Sequence, residues 1–544
     1  MVGWSRLAVG KHEGFQVVKR TEWFLTVEER GNPATTVDRH HPERAWSEGN
    51  LVIALAHGHR YFERLHDVVG LTVADDLVLF TDWRGDPDER LVGSGTEVVK
   101  VLSGLAMRGV LVRGLIWRSH PDQVHFSEQE NVAFAEVINA SGGQVFLDER
   151  VRRGGSHHQK LVVVRYQGHP DDDVAFVGGI DLCHGRNDDA RHQGDPQAVA
   201  VDDRYGPRPA WHDLQMEIRG PVIGDLAETF RERWEDPVPL DRGPWRRRLA
   251  KAAEQPAYPT ALPVAIEDPR EIGPHAVQVL RTYPSKRPSS PFAPNGERSI
   301  ARAYMKAFRR ARRLIYVEDQ YLWSFDAARA LGEALRRQPG LRLVVVVPKF
   351  PDDDGWITGP PNRVGQLRVI KYLQRIAGSR VAVYNLEVGR WPVYVHAKVC
   401  IIDDVWMTVG SDNFNRRSWT HDSEISCAFL DDTLDAREPT DPAGLGDGAR
   451  VLPRSARLAL WHEHLGWADI PVDPDDGFAM MQASADALDA WHESGQVGAR
   501  PPGRLRNHRA TPVPAATQLL ARAFYRFVSD PDGRPWVRRL RRSY

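Results

Sequence analysis

Cysteine is scarce: Cys183, Cys400 and Cys427 are the only three in 544 residues. They form no Cys-x-x-Cys pair and no disulfide framework, which fits a reducing compartment. Long apolar runs are missing as well. No stretch approaches the ~20 residues of a membrane-spanning helix. The opening residues, Met-Val-Gly-Trp-Ser-Arg-Leu-Ala-Val-Gly-Lys-His, show neither an apolar signal core nor a small-residue cleavage site. A cytoplasmic protein with no transmembrane segment is therefore expected, peripheral to a membrane if it touches one. Net charge is also slight, at −1. It hides an asymmetry, because from Arg500 onward 11 arginines face two aspartates, a local +9 that leaves about −10 for the body. Nucleic-acid affinity is mostly phosphate electrostatics, so a body of this sign argues against a nucleic-acid partner. With 42% hydrophobic residues the chain can build a core, which excludes a mainly disordered protein.

Lysine is the other rarity, with ten against 62 arginines. Two of the ten follow a histidine at i+2, in His158-Gln159-Lys160 and His396-Ala397-Lys398, the second 238 residues after the first. Random placement would give roughly 0.4 such triplets. Each opens a β-branched run, Leu161-Val-Val-Val164 or Val399-Cys-Ile-Ile402. Each is then followed by a small-residue turn, Gly178-Gly179-Ile180-Asp181 or Gly410-Ser411-Asp412-Asn413. On a strand, residues i and i+2 share a face. An imidazole and an ammonium are thus presented together, twice.

The surrounding chain repeats one order of elements. In the first copy, helical spacing at Tyr61, Phe62 and Leu65 precedes an apolar strand from Leu77 to Trp83. A helix from Thr96 to Met107, a strand from Val110 to Trp117, a helix opened by Ser127 with Glu130 as capping box, and a strand from Gln144 to Leu147 follow. In the second copy, Ile300, Ala303, Tyr304, Ala307 and Phe308 mark an amphipathic helix. Strand 314–321, helix 326–337, strand 341–348, helix 363–377 and strand 380–385 lead to His396. Alternation of this kind predicts an α/β fold: two pseudo-symmetric α-β-α sandwich halves, mixed sheets flanked by helices, sharing one active site at their interface. The expected division is an irregular N-terminal segment 1–48, a first half 49–236, a Pro-rich linker 237–275, a second half 276–467 and a C-terminal extension 468–544. The linker holds eight prolines and Arg246-Arg247-Arg248. In the extension, Leu519, Leu520, Ala523, Phe524 and Phe527 suggest a short helix before a basic tail that could touch anionic lipid.

A phosphodiester requires a nucleophile, an acid for the leaving oxygen and fixed positive charge for its free oxygens. Two histidines and two lysines supply that set, since one imidazole can attack while the other donates. The loop His184 to His192, with Asp188 and Asp189, could ligate a metal, but its spacing is loose and a polar loop beside the pocket is the better reading.

With its duplicated His-x-Lys, this sequence resembles the phospholipase D superfamily, marked by a repeated His-x-Lys-x4-Asp motif. Phe176-Val-Gly-Gly-Ile-Asp-Leu-Cys183, Trp211-His-Asp213, Tyr316-Val-Glu-Asp-Gln-Tyr321, Gly410 to Ser418 and Leu460-Trp-His-Glu-His-Leu-Gly466 are similar to the phosphatidylcholine-hydrolysing plant and eukaryotic branch. None of that branch's accessory lipid-binding domains is seen ahead of the match. The resemblance implies a two-step displacement at phosphorus without cofactor or metal. His158 would form a phosphohistidine, and His396 would protonate the departing alcohol and then activate water or another alcohol. Lys160, Lys398 and Asn413 would hold the phosphate, joined by Ser411, Asp181 and Gly179. Glu424 would orient His158, and Asp213 would orient His396. The implied partner is a phospholipid at a membrane surface, and a monomer is expected. A cardiolipin-synthase-like transferase, a nuclease of the same superfamily and an inactive lipid-binding protein are the alternatives. Arg165 motivates the last, because it stands where the first motif should end in aspartate. The run Asp171-Asp172-Asp173 is the nearest substitute.

Overall fold

The computed structural model describes residues 18–37, 43–119, 128–199, 202–240, 255–263, 267–350, 359–509, 525 and 529–544. Ser127, the cluster Arg246-Arg247-Arg248 and the apolar set Leu519, Leu520, Ala523, Phe524 and Phe527 lie outside the described residues. Two mixed sheets carry the chain, and they share one strand order. The first runs Gln144–Asp148, Leu111–Trp117, Leu77–Asp82, Leu161–Arg165, Val174–Gly178, Leu214–Arg219, Ser47–Ala56. The second runs Val381–Val388, Arg342–Val346, Leu314–Glu318, Val399–Ile402, Trp406–Gly410, Glu424–Asp431, His275–Tyr283. In each, the first three strands are parallel and the remainder antiparallel. The central strands are buried on both faces, which β-branched runs allow and single-face alternation would not.

Helices cover the outer faces. Gly58–Gly70, Val98–Met107 and Glu128–Ala140 lie over the first sheet, and Ser299–Arg310, Phe325–Arg337 and Gly359–Ala377 over the second. Each outer layer closes its own apolar core. A third core lies between the sheets, taking Leu79, Val163, Val177 and Met216 from one and Val279, Ile401, Val409 and Ile425 from the other. Helices Val222–Trp234 and Val451–His464 contribute to that shared layer.

Two junctions align the halves. Ser47 and Asn50 pair with Val277 and His275 while the rest of their strand pairs within the first sheet. At the other end, Ala210–His212 runs parallel to Trp391–Val395, with Val395 opposite His212. The N-terminal segment is not wholly irregular. It forms single-turn helices Arg20–Trp23 and Val27–Arg30, the latter opened by a Thr26–Glu29 capping box. Four residues are too few to register as a helical period. The chain beyond residue 467 returns to the second sheet as strand Leu505–Asn507, held by helix Pro474–Glu493.

Candidate active site

The second His-x-Lys follows strand Trp391–Val395, so the parallel pairing with Ala210–His212 brings Asp213 beside His396. The amides of His396 and Ala397 both donate to the His212 carbonyl, at 2.8 and 3.1 Å. His396 Nδ1 then lies 2.7 Å from Asp213 Oδ2. The other copy is built the same way from the opposite half. His157 bridges Ser423, the His158 amide donates to the Ser423 carbonyl at 2.9 Å, and His158 Nδ1 meets Glu424 Oε2 at 2.9 Å. With both Nδ1 atoms engaged by carboxylates, both Nε2 atoms remain for chemistry. Each histidine takes its carboxylate from the other half.

Burial sets the electrostatics. It lowers the proton affinity of His158 well below the ordinary histidine value, with further lowering from Lys160 and Lys398. His396 is lowered well below it too, by burial, Lys398 and Arg186. Burial raises Asp213, and it raises Glu424 well above the usual carboxylate range. Both imidazoles thus favour the neutral form, ready to accept rather than donate. Lys398, buried near Lys160, is brought down to about 8. A phosphodiester anion entering this cationic field reverses the balance and makes protonation of one imidazole easier.

Of the four residues expected to join the lysines at phosphate, three are committed elsewhere. Asp181 Oδ1 pairs with Lys160 Nζ at 3.0 Å, and an ionised carboxylate there repels phosphate rather than binding it. Gly179 donates its amide to the Leu214 carbonyl at 3.2 Å. Its missing side chain serves Asp213, whose Oδ1 would lie 2.2 Å from a Cβ at this position. Ser411 donates its hydroxyl to Glu424 Oε2 at 2.5 Å and its amide to the Ile425 carbonyl at 2.8 Å. It orients the carboxylate. Asn413, by contrast, is buried with no hydrogen-bond partner for its side-chain oxygen. Its turn is fixed by Asp319, whose Oδ1 accepts from the Phe414 amide at 2.8 Å.

Arg165 lies at the far end of its strand. Its Nε donates to Asp173 Oδ2 at 2.8 Å and its Nη2 to the Glu267 carbonyl at 2.7 Å, while Asp173 Oδ1 accepts from the Tyr166 amide at 2.7 Å. The aspartate that ends the second motif shows what that position does. Asp403 accepts from the amides of Arg312, Arg313 and Leu314 at 2.7, 2.8 and 2.8 Å, and so anchors the start of a strand. Neither residue touches a reacting group.

Several neighbours carry no sequence signal of their own. Trp83 stacks on Trp117 and stands edge-on to His158, with centroids 6.2 Å apart. Trp211 packs against His396 at 4.9 Å, and the Arg186 guanidinium lies 3.9 Å over the Trp211 ring. Lys398 is steered by Gln320, whose amide donates to the Tyr394 hydroxyl at 2.8 Å. Trp211 sits inside a stretch that the family resemblance covers and Arg186 in the polar loop from His184 to His192, but only the fold turns them toward the histidines.

A site of two opposed His-x-Lys groups between duplicated mixed sheets defines a two-half phosphodiesterase architecture. The family model for phospholipase D matches residues 113–327, and that for the PLD-like domain of cardiolipin synthase matches residues 304–437. The chain belongs to the phospholipase D superfamily. It is similar to phospholipase D alpha 2 of Arabidopsis thaliana, at 26% identity over 81% of this chain and 69% of that protein. It is also similar to phospholipase D alpha 1 of Ricinus communis, at 26% identity over 76% and 64%. The chain thus spans about two thirds of the length of these relatives. Among solved structures, a phosphatidylserine synthase from Haemophilus influenzae Rd KW20 aligns at 12% identity with a TM-score of 0.49, over 88% of this chain and 94% of that one. Among the described residues, no helix is long and apolar enough to cross a membrane.

Proposed function

We propose that this protein hydrolyses glycerophospholipids such as phosphatidylcholine to phosphatidic acid and free headgroup through a phosphohistidine. The observation that carries this reading is the crossed pairing of His158 with Glu424 and of His396 with Asp213, with both lysines acting on both rings. His158 Nε2 attacks phosphorus, and the bond from phosphorus to the headgroup oxygen breaks as His396 delivers a proton to that oxygen. Lys160, Lys398 and the Asn413 amide hold the free phosphate oxygens. Water, deprotonated by His396, then attacks phosphorus and breaks the P–N bond, which returns His158 to its starting state. Burial of the pair keeps its charges strong. Choline release from phosphatidylcholine vesicles tests the reading. Loss of turnover in both His158→Ala and His396→Ala supports it, and near-normal turnover in either overturns it.

An alcohol can replace water in the second step, and the match of residues 304–437 to a cardiolipin synthase model favours such phosphatidyl transfer as a second reading. A phosphatidyl-alcohol product formed in the presence of a primary alcohol distinguishes transfer from hydrolysis. Access from a membrane surface is supported by the C-terminal helix Trp536–Arg541. There Trp536 and Leu540 are 71% and 74% exposed among exposed Arg539, Arg541 and Arg542.

A further inference from the structure

His57, His192, His212 and Glu463 converge beside the backbone of Asp213, and all four are buried. The three imidazole centroids are 4.7, 4.9 and 5.5 Å apart. Their inner nitrogens face one carboxylate: His57 Nε2 is 2.7 Å from Glu463 Oε2, and His192 Nε2 and His212 Nδ1 are 2.8 and 3.3 Å from Oε1. One donor atom from each of the four residues lies within 4.8 Å of all the others.

The outer nitrogens face oxygen acceptors too. His57 Nδ1 is 3.0 Å from the Asp213 carbonyl, His212 Nε2 is 2.7 Å from Glu318 Oε2, and His192 Nδ1 is 3.4 Å from Asp188 Oδ2. The Asp213 amide can also donate to His57 Nδ1, at the longer distance of 3.3 Å. A neutral imidazole has a single N–H, and an ionised carboxylate only accepts. With protons on the outer nitrogens, three lone pairs converge on a carboxylate that has nothing to donate. Satisfying both sides with protons alone requires His192 and His212 both to be imidazolium in one buried space, and His57 too unless its Nδ1 accepts from the Asp213 amide, a heavy desolvation cost. A single divalent cation accepts all three lone pairs and the carboxylate at one centre.

We infer that His57, His192, His212 and Glu463 bind a divalent first-row transition ion, with zinc best suited to three imidazoles and a carboxylate. The outer contacts are the carbonyl and carboxylate partners that orient ligating histidines. Asp188 is itself fixed, accepting from the amides of Trp211 at 2.8 Å and Gly194 at 3.0 Å. His192 is held at φ +55°, a left-handed conformation uncommon for a side chain of this size. Arg504 Nη1 stands 3.5 Å from Glu463 Oε1 without hydrogen-bonding to it, and so offsets charge without filling the centre. His184, grouped with His192 by sequence, turns away to Asp86 and Asp88.

Four protein donors complete a tetrahedral shell, so the ion is structural. It ties helix Val451–His464 to three segments of the first half and fixes the residue before Asp213. The phosphodiester chemistry takes no step through it. Elemental analysis of full-length, tag-free protein purified without chelator is expected to find one zinc per chain. Replacing it with cobalt is expected to give the visible absorption of a tetrahedral nitrogen-rich site, a readout that needs no variant. His57→Gln and Glu463→Gln should each reduce bound metal at least tenfold with the circular dichroism spectrum retained, whereas His59→Gln, at an exposed neighbour, should keep it. Wild-type protein that neither carries stoichiometric metal nor takes up added zinc or cobalt overturns the inference. So does full metal retention in both ligand variants.

Discussion

Glu424 Oε2 stands 2.9 Å from His158 Nδ1 although 266 residues separate them. Asp213 does the same for His396 across 183 residues, at 2.7 Å. Neither half therefore owns a complete histidine–carboxylate pair. Replacing Glu424 or Asp213 by the isosteric amide keeps the shape and removes the charge that supports an imidazolium. Glu424→Gln and Asp213→Asn should each lower kcat by about 10²–10⁴-fold with little change in KM, by analogy with other oriented histidines. Steady-state headgroup release measures this, and activity within threefold of wild type in both variants refutes the pairing as a catalytic device.

Gly179 supplies a test of position rather than charge. A Cβ there would sit 2.2 Å from Asp213 Oδ1, and Asp213 has no room to retreat without leaving His396. Gly179→Ala should cost about 100-fold in kcat, the scale set by an ångström of misplacement. Far-ultraviolet circular dichroism should be unchanged. Full activity would show that Asp213 moves freely.

Much of this was legible in the sequence, and for a physical reason. His-x-Lys triplets, β-branched runs and amphipathic spacing are local signals, and duplication made them stand out against chance. Crossed pairing of each histidine with the far carboxylate was available only through resemblance. What the sequence could not show was which polar atoms would be consumed internally. Ser411 and Gly179 look like phosphate binders on a loop, yet their donors go to Glu424, Ile425 and Leu214. Asp181 looks equally available until Lys160 is beside it. The strands Ser47–Ala56 and His275–Tyr283, which join the sheets, lay in or beside stretches read as irregular or linker, because their pairing is long-range. His57 carried no signal at all, since its partners are far away in the chain.

Lys398 gives the site a basic limit. Burial, opposed by Asp213, brings its ammonium down to about 8, so in the free protein it is charged below that pH and neutral above. Since kcat/KM reports the free enzyme, it should fall above about pH 8. Bound phosphate favours the charged lysine, so the corresponding limb in kcat should lie higher. Lys398→Arg, always charged, should lose this limb whatever activity it retains. On the acid side, burial and then the two lysines keep His158 neutral below the ordinary histidine value, so attack should persist under pH 6.5. The unfolded chain takes up those protons first, so thermal stability should decline as pH drops below about 6.5. A kcat/KM that is flat to pH 10 in the wild type contradicts the role of Lys398.

The C-terminal helix bears on how the site meets its substrate. Trp536 and Leu540 project among arginines, a combination suited to the headgroup region of an anionic bilayer. The double variant Trp536→Ala, Leu540→Ala should sediment less with phosphatidylglycerol-containing vesicles while hydrolysing short-chain monomeric phospholipid at the wild-type rate. Equal sedimentation of the two proteins rules the helix out as a membrane contact.

Arg165 separates a structural departure from a catalytic one. It is 4% exposed, its partner Asp173 is fully buried, and their contact is 2.8 Å. Burial raises Asp173 to about 6 even with this guanidinium beside it, so removing the arginine leaves a carboxylate that is costly to ionise. Breaking such a pair from one side typically costs about 3–5 kcal/mol. Restoring the family's residue with Arg165→Asp places two carboxylates together and should lower the melting temperature by several degrees. Its specific activity below that temperature should stay within twofold of wild type, because the strand end carrying Arg165 makes no contact with His158 or Lys160. The swap Arg165→Asp with Asp173→Arg should recover part of the lost stability. A large gain in kcat for Arg165→Asp with unchanged stability would place this position in the catalytic machinery, against the geometry of both Arg165 and Asp403.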